Sequence, residues 1–134
     1  MQYLTQEEIS LIHFAIMDAH DDDEQSGIKF EDKFEAMAAR PHTKYFGVEL
    51  YSTNFQKICC YYHSISRGHI FHNGNKRTAL AVFLVLLEIN GLILDVDDIF
   101  LEDFTVKIAH EEKYRDDKAV MSIVEELTPF LQKN

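Results

Sequence analysis

The apolar positions of this chain recur mostly at helical spacing, and only briefly at the two-residue spacing of a strand. Thr5-Gln6-Glu7-Glu8 has the form of a capping box, with Thr5 as N-cap and Glu8 three positions on. Ile9, Ile12, His13 and Ile16 follow on one face and predict a first helix over about 6 to 18. Phe30, Phe34, Met37 and Ala38 predict a short second helix, stopped by Pro41 after Arg40. Tyr45 to Leu50 is rich in strand formers and contains Gly47, so it reads as a short strand pair or an extended flap. From Asn54 the helical pattern returns, with Phe55, Ile58, Cys59, Tyr62 and Ile65 on one face and Gly68 where a glycine ends a helix. The most apolar segment predicts a helix from Thr78 to about Asn90, stopped by Gly91. Asp95 or Asp97 can cap a further helix whose face carries Ile99, Phe100, Phe104 and Ile108. After a charged connection, Glu111 to Asp117, the residues Val120, Ile123, Val124 and Leu127 predict a last amphipathic helix over Ala119 to Leu131, with Pro129 near its end. The sum is an all-α bundle around a central buried helix, with a short β flap near 45–51. No repeat, low-complexity tract or linker interrupts it, so residues 1–134 are expected to form one domain.

Charge and cysteine content narrow the classes. The formal net charge of −10 and pI near 5.0 make a poor general binder of nucleic acid or of anionic membrane. The apolar run Ala79 to Leu87 is far shorter than the roughly 18 residues of a membrane span. The first residues show no basic segment followed by an apolar one, so no signal peptide is expected. Cys59 and Cys60 are adjacent and ill placed to bridge, which fits a reducing, cytoplasmic setting. Cys59 and His63 with His69 and His72 lack any zinc-ligand spacing. Asp21 to Gly27 lacks the glycine and glutamate positions of a calcium loop and reads as a solvated acidic loop.

The chemistry is concentrated between two apolar helices, in Arg67-Gly68-His69-Ile70-Phe71-His72-Asn73-Gly74-Asn75-Lys76-Arg77-Thr78. Polar groups placed in a core-like neighbourhood need partners. Gly74 lets the backbone approach a ligand, and Asn75 can cap the helix that follows. The free N–H groups and positive dipole end of that helix attract phosphate. Lys76 adds a point charge and Arg77 a bidentate fork. Phe71 anchors the loop and aims His69, the natural general base for an attacking hydroxyl. His72 reads as a solvated loop residue within reach of substrate, and Arg67 as a helix-end cation or a further phosphate contact.

The run His-x-Phe-x-x-Gly-Asn-Lys-Arg-Thr, from His69 to Thr78, resembles the active-site signature of the Fic/Doc superfamily. Its Asn-Lys-Arg ending is similar to the Doc (death-on-curing) branch. Tyr3-Leu4-Thr5, the Gly27 to Pro41 segment, Arg67-Gly68 and the helix ending Asn90-Gly91 extend the resemblance over most of the chain. The resemblance implies a toxin of a toxin–antitoxin pair. It would be a kinase that transfers the γ-phosphoryl of ATP to a protein hydroxyl, a threonine of elongation factor Tu, and so arrests translation. It implies His69 as base, and Asn75, Lys76 and Arg77 with the Gly74 backbone as the phosphate site. Lys76 would fill the space that AMP-transferring members leave open, turning the nucleotide to present its γ-phosphate. Nucleotidyl (AMP) transfer is the alternative, and Leu80 stands where that branch has a second arginine. The resemblance implies Mg²⁺ beside the nucleotide, but Asn73 stands where the family has Asp or Glu to hold it, so a neutral amide serves as a weaker ligand or another acid substitutes. This leaves open a catalytically weak module that binds nucleotide or a partner. Ser122 to Leu127 carries only half of the family's inhibitory-helix pattern, so inhibition is expected from a separate antitoxin.

Overall fold

A computed structural model of the chain describes residues 1–132. Six helices run in the order α1 (Gln6–Ala19), α2 (Glu31–Ala39), α3 (Asn54–Arg67), α4 (Asn75–Ile89), α5 (Asp98–His110) and α6 (Ala119–Leu127). Strands β1 (Lys44–Tyr45) and β2 (Val48–Glu49) form an antiparallel hairpin between α2 and α3, pairing Lys44 with Glu49 and Tyr45 with Val48. The all-α bundle with a small β flap is therefore the observed architecture.

Local chemistry sets the helix starts. The capping box at Thr5 and Glu8 forms as the sequence predicts, with Glu8 N–H donating to Thr5 Oγ1 at 3.1 Å. A second box, Thr53 with Gln56, opens α3. Of the two candidate acids before α5, Asp97 is the cap, accepting from Phe100 N–H at 2.8 Å.

The central helix is α3. It packs against α2, α4, α5 and α6, and all but four of its residues are buried. The apolar segment that follows it, α4, is less enclosed: Leu84 and Ile89 are exposed. Hydropathy ranks the two the other way because α3 buries polar groups that have partners. Lys57 Nζ donates to the Tyr51 carbonyl, and His63 Nε2–H donates to the Tyr114 carbonyl at 2.7 Å. Burial lowers the pKa of His63, which suits its neutral ring.

Three predicted elements shift. The fourth helix begins at Asn75 rather than Thr78, because the polar residues 75–77 are its first turn. The last helix ends at Leu127, and a 3-10 turn at Thr128–Phe130 leads Leu131 into a bridge with Leu94. On α5, Leu101 and Thr105 are buried with Phe104 and Ile108, whereas Ile99 is exposed. Both thiols are enclosed, and burial pushes the Cys60 pKa up to about 11. Among the described residues no helix is long and apolar enough to cross a membrane.

Candidate functional site

Two features deliver the chain from α3 into the loop before α4. Gly68 caps α3 with ordinary helical angles rather than left-handed ones. Its need for glycine is space: a Cβ would lie 2.5 Å from the Ser64 carbonyl oxygen. The left-handed step falls on the next residue, His69, at φ 50°. A non-glycine residue there costs on the order of 1 to 3 kcal/mol and persists only where its surroundings impose it. His69 is exposed, so its imidazole is presented to solvent at the end of the central helix.

The loop that follows is fixed on every side. Phe71 is 1% exposed and its ring stacks on His13 at 3.9 Å between centroids. Segment 27–30 pairs with it: Lys29 N–H donates to the Ile70 carbonyl at 2.8 Å, and His72 N–H to the Gly27 carbonyl at 3.1 Å. Asn75, expected as the helix cap, instead clamps the loop. Its Oδ1 accepts from Phe71 N–H and its Nδ2 donates to the Phe71 carbonyl, both at 3.0 Å. The N-cap is Gly74, left-handed at φ 72° and with no side chain to cover the helix end. A Cβ at that position would run into Met17 Sδ. The first N–H groups of α4 are thus left facing outward beside Lys76 and Arg77.

A cavity of about 190 Å³ lies over this helix end. It is lined by His69, His72 and residues 73–77, together with Ser66 of α3 and Ala109 and His110 of α5. No carboxylate is among the lining residues. The cationic, imidazole-rich wall suits an anion the size of a phosphate chain. Arg67 is the exception among the sequence candidates. Its Nη1 donates to the carbonyls of Ile108 at 3.0 Å and Glu111 at 2.9 Å, closing the C-terminal end of α5. It lines a separate cavity of about 290 Å³ with Lys33, Arg40 and His63.

Four neighbours of the motif carry weak or no sequence signal. His13, read as one more residue of a helical face, is fully buried. Gly27 N–H donates to its Nε2 at 2.9 Å, so Nδ1 carries the proton and donates to Thr78 Oγ1 at 3.0 Å. Burial first, and the charge of Arg77 second, lower its pKa to about 4. The acidic loop is not simply solvated. Asp22 Oδ2 sits 3.1 Å from Arg77 Nη2, each side chain one-third exposed, and Gln25 Oε1 accepts from Asn73 Nδ2 at 2.7 Å. Ser66 is the fourth, a helical serine whose spacing reveals nothing.

Asn73 has its other end engaged too, Oδ1 accepting from Gly74 N–H at 2.8 Å. Among the described residues no three His, Cys, Asp or Glu side chains gather where they could hold a metal ion. The amide at 73 and the paired Asp22 are a poor set for Mg²⁺, which prefers free carboxylate and phosphate oxygens.

Residues 3–87, which contain the whole loop and most of α4, match the family described as Fic/DOC. The chain belongs to the Fic/DOC family. Within it the similarity is to the Doc branch: over 63 residues it is 38% identical to "Toxin Doc" of Mycolicibacterium smegmatis (strain ATCC 700084 / mc(2)155). That stretch is 47% of this chain and 48% of the relative, so the match spans about half the length of each. The segment from His69 to Thr78 lies within the matched residues, here wrapped around a helix end.

Proposed function

We propose that this Fic/DOC chain is a Doc-like toxin that transfers the γ-phosphoryl group of ATP to a protein hydroxyl. The observation that supports it most is the uncapped start of α4, opened by left-handed Gly74 and flanked by Lys76 and Arg77, in one cavity with His69. His69 takes the proton of the attacking hydroxyl. The hydroxyl oxygen bonds to the γ-phosphorus as the bond to the bridging oxygen breaks, and the nucleoside diphosphate leaves with that electron pair. Lys76, Arg77 and the α4 N–H groups hold the phosphoryl oxygens while charge shifts onto the leaving group. The acceptor is a protein, a threonine of elongation factor Tu by family resemblance, and an antitoxin protein restrains the activity. The residues around Asn73 fit Mg²⁺ poorly, both ends of its amide being engaged by Gln25 and Gly74.

Transfer from ATP carrying label in the γ- or the α-phosphate tests this directly. Label reaching a lysate protein from the γ-position, and lost in His69→Ala by about 10² to 10⁴-fold, is expected. Label from the α-position would turn the reading to nucleotidyl transfer, and no label from either would remove the enzyme.

A second reading has its own observation. Arg77 and Asn73 are both engaged by the acidic loop, through Asp22 and Gln25. A protein so held binds nucleotide or a partner and turns over slowly. Asn73→Asp separates the two: a rise in transfer marks the amide as the weak point of an enzyme, and an unchanged rate favours the binding module.

A further inference from the structure

Ser66 lies in the last turn of α3, three residues before His69, and lines the cavity shared by Lys76 and Arg77. It is 4% exposed, and its Oγ is buried with no hydrogen-bond partner. The other such atoms among the described residues belong to Arg40 and Glu126, and each of those has an ion-pair partner, Asp117 and Lys113. Ser66 therefore carries a buried polar group that nothing among the described residues satisfies. A serine inside a helix commonly returns its hydroxyl to the carbonyl four residues earlier, and Ser66 does not. An unpaired buried hydroxyl costs stability, so a native structure that keeps one beside a cavity points to a ligand.

The surroundings say which chemistry. Lys76 and Arg77 supply positive charge, His69 and His110 supply ring nitrogens, and no carboxylate lines the space. An anion fits such walls, and a hydroxyl adds a neutral donor that rewards correct placement of an oxygen without adding charge. A serine hydroxyl turns among three staggered positions, so its donor direction adapts to the ligand.

We propose that Ser66 is a phosphate-binding residue of this site, its hydroxyl donating to a phosphoryl oxygen of the bound nucleotide. The assignment rests on the phosphoryl-transfer reading above and deepens it. It makes α3 a third element around the phosphates, beside the loop and the start of α4.

The test is a calorimetric titration of the full chain with ATP and with inorganic pyrophosphate, for wild type, Ser66→Ala and Lys76→Ala. Thermal melts without ligand accompany it. Ser66→Ala is expected to weaken both ligands about tenfold, as for a hydrogen bond to a charged group. Its ligand-free melting temperature should equal or exceed wild type, because an unsatisfied group has been removed. Unchanged affinity in Ser66→Ala overturns the proposal. So does a lowered melting temperature with affinity lost in step, which marks a packing role. Weakened ATP with unchanged pyrophosphate overturns the phosphate assignment, since the hydroxyl would then face the nucleoside. If wild type binds neither ligand, or Lys76→Ala binds both as wild type does, the phosphoryl-transfer reading itself fails, a result distinct from a defect confined to Ser66.

Discussion

Arg77 is held by an acid of its own chain before any ligand arrives. The Asp22 carboxylate sits on the guanidinium at 3.1 Å and engages the same group that a phosphate oxygen would. A nucleotide must displace it. A pair exposed to this extent, one-third on each side, is worth a fraction of a kcal/mol to about 1 kcal/mol. Asp22→Asn should therefore tighten nucleotide affinity by about two- to fivefold, measured by equilibrium titration. A loss of affinity would instead assign Asp22 to aiming Arg77. The sequence offered no sign of this contact. Asp22 sits in a run of acids that reads as solvation, and only the turn after α1 brings it across to α4.

At the scale of the element, the start of α4 depends on how closely α1 approaches it. Gly74 is left-handed and in contact range of Met17, so Gly74→Ala meets both a conformational cost of roughly 1 to 2 kcal/mol and a clash. A denaturant titration should show stability falling by at least about that much; in a Met17→Ala background, compared with Met17→Ala alone because that buried side chain leaves its own cavity, the substitution should still carry the conformational cost. No cost in that background would mean that the left-handed angle costs nothing. The motif itself was legible, because its polar and glycine residues interrupt two apolar helices. The start of the second helix was not, since Asn75, Lys76 and Arg77 are polar whether they lie in a loop or in a first turn. Asn75 shows the difference: one side chain suits a helix cap and a loop clamp equally, and the choice depends on where Phe71 N–H and its carbonyl end up. Arg67 left two readings open for a similar reason, and it caps a helix end, that of α5. Its partner carbonyls at Ile108 and Glu111 are more than forty positions away.

Across the whole molecule, acid should act through a buried neutral ring. His13 has a pKa lowered to about 4 when folded and an ordinary value of 6.5 when unfolded. The unfolded chain thus binds the extra proton first as pH falls. The stability this ring contributes is complete above pH 6.5, declines below it, and is gone once pH passes the folded value near 4. The size is about 3 kcal/mol, and His63, shifted the same way, adds to the slope. Denaturant titrations at pH 7, 6, 5 and 4 should show the decline, and His13→Gln should flatten it. An equal slope in that variant would clear His13 of the effect. Folding acts here as a proton-releasing step, because His13 must be neutral to join α1, the 27–30 segment and α4.

The connection between α4 and α5 receives both ends of the described chain. Gln2 exchanges two hydrogen bonds with Asn90, at 2.7 and 3.0 Å. Asp95 N–H donates to the Phe130 carbonyl at 2.8 Å, and Gln132 N–H to the Ile93 carbonyl at 2.9 Å. In mechanical terms this connection is a buckle. Tension applied between residues 2 and 132 in an optical trap loads these few bonds first, ahead of the packed pair of α3 and α4. The molecule should yield in two steps, a small opening at the buckle and then rupture of the core. Asn90→Ala should lower the first force and leave the second unchanged.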